Sequence, residues 1–193
     1  MHVSPDAPAP IRPGEELDMP RLNAFFEASG LPPVTEVRQF PGGFSNLTYF
    51  LQTQTGGYVL RRPPFGAQIK GGHDMGREFR VLTALQAAGF AKIPRPVVFC
   101  NDETALGAPF YVMERVNGVI LRAAVARNPA LTPELMRTLG ENLTDTLADL
   151  HALDVEKTGL LALGKPEGYV QRQVEGWIGR YEKARTDDIP AMT

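Results

Sequence analysis

Short runs of β-branched, aromatic and aliphatic residues, each bounded by glycine or proline, fill the first half of the chain. Leucines at helical spacing dominate the second half. Val34–Phe40, Leu47–Thr53 and Tyr58–Arg62 read as three strands. Gly56-Gly57 turns the second into the third, and Pro63-Pro64 ends the third because proline cannot donate to a ladder. Upstream, Asp18 can cap a short helix over 19–29, with Pro20 near its first turn and Gly30 closing it. Gly66 to Gly72 reads as loop. Met75, Phe79, Leu82 and Leu85 then recur on one helical face and predict a helix over 74–88, capped by Asp74. Val97–Cys100 and Pro109–Glu114 follow as strands, joined by the polar turn Asn101-Asp102-Glu103.

The order β-β-β-α-β-β predicts an antiparallel sheet with one packed helix, an α+β arrangement. Residues 115–131 read as a linker and a short helix. Thr132-Pro133 starts a longer helix that runs to about Leu153, with Leu135, Leu139, Leu143, Leu147 and Leu150 along one side. Gly159, Gly164 and Pro166 make a loop before a last helix over Tyr169–Arg185, which carries Val170, Val174, Trp177, Ile178 and Tyr181.

At 193 residues the chain suffices for one domain or two small lobes. Its 20 basic and 22 acidic residues nearly cancel and form no basic stripe, which argues against a nucleic-acid partner. The single Cys100 leaves no internal disulfide, fits a reducing cytosol and reads as a small buried hydrophobe near a strand end. The first residues lack a secretory signal, and no apolar run approaches the ~18 residues that span a bilayer. A cytoplasmic protein without membrane partners is expected. Residues 1–16, with Pro5, Pro8, Pro10 and Pro13, read as a disordered or extended leader.

Candidate chemistry begins at Gly42, Gly43, Phe44, Ser45 and Asn46. Glycine lets backbone N–H groups approach an anion closely, and the Ser45 hydroxyl adds a donor. A plain turn between strands would look the same taken alone. On the third strand Val59 and Arg61 share a face, and Tyr58, Leu60 and Arg62 share the other. Arg61 therefore points where the glycine turn folds over and can meet α- and β-phosphate oxygens, unless it is a solvated edge arginine. Glu78 lies about 40° from Leu82 and about 60° from Met75 around its helix, at the border of the apolar stripe. There it can reach back and hold Arg61, or stand as a surface acid beside Arg77 and Arg80. Finally Tyr111–Gly118 runs from apolar strand into polar linker, where exposed backbone can pair with the edge of an adenine, or simply leave the sheet.

Together, Gly42-Gly43-Phe44-Ser45-Asn46, Val59-Leu60-Arg61-Arg62, Arg77-Glu78-Phe79 and Phe110–Gly118 resemble the small lobe of the protein-kinase-like aminoglycoside phosphotransferase (choline kinase-like) family. Asp149–Asp154 and Pro166-Glu167-Gly168-Tyr169 look like the same family, and most like the kinase portion found beside some acyl-CoA dehydrogenases. The resemblance covers about residues 17–185. It implies a five-stranded small lobe with an N-terminal helix over 17–116, then a linker and incomplete helical large lobe over 117–193. It also implies an ATP cleft, with the glycine turn over the phosphates and Arg61 in place of the usual lysine. Glu78 would be its ion-pair partner, the backbone of Glu114 and Val116 would hold adenine, and Met113 would stand at the back. Arginine for lysine keeps the charge and changes shape and reach.

Family members also use a later His-Gly-Asp-x-x-x-x-Asn loop and an Asp-containing metal motif, which position the acceptor and Mg²⁺. The three histidines here, His2, His73 and His151, are followed by Val, Asp and Ala, and no asparagine follows Asn142. Gly66–Gly71 has a Walker loop's glycine spacing, but Gly72 and His73 stand where Lys and Ser or Thr belong. The expectation is thus an ATP-dependent phosphotransferase of small-molecule hydroxyls by family, cut before its catalytic and metal loops and limited to nucleotide binding. A hydroxyacyl-CoA or similar metabolite is a candidate acceptor for the parent. A non-catalytic nucleotide-binding or interaction module is the alternative. Bare apolar faces on the last helices imply self-association or a partner chain that supplies the missing lobe.

Overall fold

The computed structural model describes residues 7–42, 46–66, 73–120 and 131–187. Five strands form one antiparallel sheet: β1 (Val34–Gln39), β2 (Leu47–Thr53), β3 (Gly57–Arg62), β4 (Pro96–Cys100) and β5 (Phe110–Glu114). Their spatial order is β1-β2-β3-β5-β4. The α+β class and the five-stranded sheet expected from the sequence are present, and strand bounds agree to within about a residue.

Strand alternation divides the sheet into two faces. Tyr49 and Leu51 of β2, Leu60 of β3, and Phe110 and Val112 of β5 make a buried core on one face. Helix α1 (Met19–Ala28) covers it with Leu22 and Phe26. Asp18 caps α1 by accepting from the Arg21 N–H at 3.0 Å. Asn23 then exchanges two hydrogen bonds with the backbone of Val34, which fixes where β1 begins against the helix.

On the other face the register aligns Thr48, Arg61 and Tyr111 in one cross-strand row, with Phe50, Val59 and Met113 in the next. Helix α2 (Met75–Ala87) packs over one end of this face, with Phe79 stacked on Phe99 at 5.8 Å and tilted against Tyr111 at 6.1 Å. Asp74 caps α2 through the Arg77 N–H, so its first turn, with Glu78, ends against the sheet's polar row.

Three expectations are refined. Residues 1–16 were expected as a disordered or extended leader, and part of 7–16 takes the extended alternative, strapped to the outer edge of β1. Ala9 and Gln39 exchange backbone hydrogen bonds, the Arg12 N–H donates to the Gln39 side chain, and the Tyr49 hydroxyl donates to the Glu15 carbonyl. A proline-rich stretch that leaves few donors to satisfy can lie against an edge strand at low cost. The β4–β5 connection is not only a turn. It contains a short helix, α3 (Glu103–Leu106), capped by Asp102 and ended by Gly107 at φ +80°. Leu160–Leu163 likewise form a 3-10 turn inside the expected loop and pack against α2.

Helices α4 (Pro133–His151) and α5 (Tyr169–Ala184) match their expected spans closely. Neither contains a buried residue, and Leu143 is 70% and Trp177 64% exposed. The short helix expected within 115–131 falls mostly outside the described residues. Among those residues no helix is long and apolar enough to cross a membrane.

Candidate functional site

A cleft of about 730 Å³ opens beneath the end of β1 and the entry to the glycine turn. Its floor is the Thr48–Arg61 part of the sheet, and its back is the chain leaving β5. Of the residues singled out from the sequence, Gly42, Val59, Arg61, Met113, Glu114 and Val116 line it. Asn46 and Glu78 stand behind Arg61, bonded to it directly or in sequence. Gly43, Phe44 and Ser45 lie outside the described residues.

The alternation of β3 turns Arg61 into this cleft, and the first turn of α2 delivers Glu78 to it. The Arg61 Nε donates to Glu78 Oε2 at 3.1 Å. The two side chains are 31% and 35% exposed, so the pair sits at the cleft wall and not in the core. Two further donors converge on the same carboxylate. The Tyr111 hydroxyl donates to Oε2 at 2.9 Å, and Asn46 Nδ2 donates to Oε1 at 3.0 Å. Asn46 Oδ1 in turn meets His73 Nδ1 at 2.7 Å. Burial, with the Glu78 charge nearby, raises the Tyr111 hydroxyl well above the ordinary tyrosine range, so it stays a proton donor.

Sequence reasoning missed Tyr111 and His73 as members of this group. Tyr111 was findable, because it shares a strand face with Met113 and pairs with Arg61 in register. His73 gave no signal, since only the fold brings it to Asn46.

At the other end of the cleft, Glu114 is committed on both sides. Its N–H donates to the Arg95 carbonyl at 2.9 Å, and its carboxylate pairs with the Arg95 guanidinium. That pairing holds the Glu114 carboxyl below the usual carboxylate range. Arg115, also missed, packs its guanidinium 4.5 Å from the centre of the Phe50 ring, a cation–π contact. Its Nε is buried and has no hydrogen-bond partner among the described residues. Gly57 leaves room for this stack, because a Cβ there would lie 2.5 Å from Phe50 Cε2.

The arrangement offers a fixed cation on one wall of the cleft and apolar surface from Val59, Met113 and Ile93 beside it. An elongated ligand with an anionic tail and a flat apolar head fits that distribution. Among the described residues, no group of three His, Cys, Asp or Glu side chains is placed to hold a metal ion.

The model of the phosphotransferase enzyme family matches residues 36–193. The chain is 36% identical over 188 residues to acyl-CoA dehydrogenase family member 11 of Rattus norvegicus, an alignment covering 94% of this chain and 24% of that protein. It is 40% identical over 156 residues to the Gallus gallus protein of the same name, covering 81% of this chain and 20% of that one. A crystal structure from Ralstonia eutropha, described provisionally as an aminoglycoside phosphotransferase, superposes with a TM-score of 0.72 at 31% identity. The match covers 91% of this chain and 50% of that one. The chain thus spans about a quarter or less of the length of these curated relatives and half of that solved chain.

Proposed function

The chain belongs to the phosphotransferase enzyme family and has its kinase-like fold, and on that footing we propose that its cleft binds ATP. The triphosphate lies against Arg61, beside Gly42. Adenine lies over Val59 with Met113 at the back, against the chain leaving β5. The observation that carries this reading is the Arg61–Glu78 pair on the cleft wall. A guanidinium held by one nitrogen keeps its remaining N–H groups for phosphate oxygens. With the Glu114 N–H already committed to Arg95, contact with adenine falls to the Glu114 carbonyl and the backbone of Val116, an exposed residue.

The reaction proposed on the family's footing is transfer of the γ-phosphoryl group to a hydroxyl of a small molecule. Mg²⁺ would neutralise the phosphates there, and nucleotide binding without turnover by this chain alone is part of the proposal. The relatives are named as acyl-CoA dehydrogenases, which makes a hydroxyl-bearing acyl-CoA the first acceptor to assay with the longer polypeptide. The single buried Cys100 supports a cytoplasmic setting.

Titration of the chain with ATP, followed by calorimetry, tests the binding. Arg61→Ala is expected to weaken affinity at least about tenfold, the worth of one charged hydrogen bond. Equal affinities would remove Arg61 from the site. No binding by either protein would favour an interaction module built on this fold.

A further inference from the structure

We propose that Asn46 and Tyr111 are positioning residues that clamp Glu78 and so hold the Arg61 guanidinium in one orientation at the cleft. The role of that orientation in phosphate binding rests on the nucleotide reading above, whereas the clamp itself does not.

The geometry is a three-donor grip on one carboxylate. Oε2 accepts from Arg61 Nε and the Tyr111 hydroxyl, and Oε1 accepts from Asn46 Nδ2. The donors come from β3, from β5 and from the residue that opens β2, so α2 is tied to three strands through a single side chain. An Arg–Glu pair as exposed as this one does little to fix a long side chain by itself, because water competes for both partners. The two neutral donors differ: Asn46 is 8% and Tyr111 3% exposed, and neither can exchange its bond for water without opening the sheet. They immobilise the carboxylate, and the immobile carboxylate immobilises the guanidinium. A guanidinium fixed beforehand loses less freedom when an anion arrives.

The same bonds settle two hydrogen positions. A carboxylate only accepts, so Asn46 must present its NH₂ to Glu78 and its carbonyl to His73. His73 therefore carries its hydrogen on Nδ1 and anchors Asn46 from the far side. Arg61 uses Nε for the clamp, which leaves the two-pronged end of the guanidinium facing the cleft.

Two measurements on the full chain separate the clamp from the nucleotide reading. The first is the solvent-exchange rate of the Arg61 Nε–H, followed by ¹⁵N NMR without ligand and assigned by its loss in Arg61→Lys. Asn46→Ala and Tyr111→Phe should each speed that exchange by about tenfold while the backbone amide spectrum stays folded. An unchanged rate in both variants overturns the clamp. Should Asn46→Ala fail to fold, Tyr111→Phe removes only a hydroxyl and carries the same test. The second is affinity for ATP against adenosine. Both variants should weaken ATP by about five- to tenfold and leave adenosine unmoved. Equal losses for both ligands would mean a general loss of structure and would also overturn the proposal. A wild type that binds no ATP overturns the nucleotide reading, and the exchange rates still decide the clamp.

Discussion

Arg61 and Arg62 are neighbours on β3 and face opposite sides of the sheet. Arg61 lines the cleft and pairs with Glu78. Arg62 is 2% exposed, and no carboxylate among the described residues pairs with it. It donates instead to the carbonyls of Pro63 and Leu106, at 3.1 and 2.9 Å, and packs 3.7 Å from the centre of the Phe65 ring. Two identical side chains thus have separate tasks, one at the surface chemistry and one inside the scaffold.

That division predicts unequal losses on truncation. Arg62→Ala strips two buried carbonyls of their donor and should lower unfolding free energy by about 2–4 kcal/mol. Arg62→Lys should not restore it, because an ammonium cannot reach both carbonyls in the plane of a guanidinium. Arg61→Ala should cost less than about 1 kcal/mol, as expected of a partly exposed ion pair. Urea midpoints of the three variants check the contrast.

Gly57 is the narrow point of the wall beneath Arg115. A methyl group there would lie 2.5 Å from Phe50 Cε2, 3.1 Å from Cζ and 3.6 Å from Arg115 Cδ. Gly57→Ala should therefore destabilise the chain by about 1–3 kcal/mol through overpacking. Phe50→Leu in the same protein should recover part of that loss. Additive losses in the double-mutant cycle would show that the Phe50 ring is not what the methyl group displaces.

Stability should fall in alkali with a contribution from Tyr49. Burial pushes its hydroxyl up to about 12, whereas the unfolded chain ionises near about 10. A raised folded value means the contribution is whole below about 10 and is lost as pH rises through about 12. The steepest slope is about 1.4 kcal/mol per pH unit. Tyr49→Phe should cost about 1 kcal/mol near neutrality, where it loses the bond to the Glu15 carbonyl. The variant should also show a shallower alkaline decline. Tyr111 shifts in the same direction, so a residual slope remains. Denaturation midpoints at about pH 7 and about pH 11 measure both effects.

The leucine face of α4 and the Trp177 side of α5 should drive self-association of the chain in isolation. Leu143, Leu147 and Val170 are at least half exposed beside it, more apolar surface than monomers commonly present. Sedimentation velocity should show concentration-dependent species larger than 21.1 kDa. Leu143→Lys with Leu147→Lys should shift them toward monomer and leave the sheet's stability within about 0.5 kcal/mol. A single monomeric species in the unmodified chain would refute this.

Much of the fold was legible because its signals are local. Gly56-Gly57 and Pro63-Pro64 punctuate β3, and the Asp18, Asp74 and Thr132 caps open their helices where expected. Strand alternation separated Arg61 from Arg62, and helical angle put Glu78 within reach of Arg61. What escaped was short or long-range. Helix α3 is one turn between Asp102 and Gly107, too brief for an apolar stripe, although both caps are visible in the sequence. The strap over β1 depends on Gln39 being buried, which no local pattern announces. His73 and Arg115 join the site through contacts with residues 27 and 65 positions away, Asn46 and Phe50, that only the folded sheet creates.

The strap has a consequence for how this chain fails. By bonding to Gln39 on both its N–H and its carbonyl, Ala9 covers part of the β1 rim of the sheet, where a foreign strand could otherwise add on. Proteolytic removal of the segment up to Glu15 would uncover that rim and open a route to fibrils that bind thioflavin.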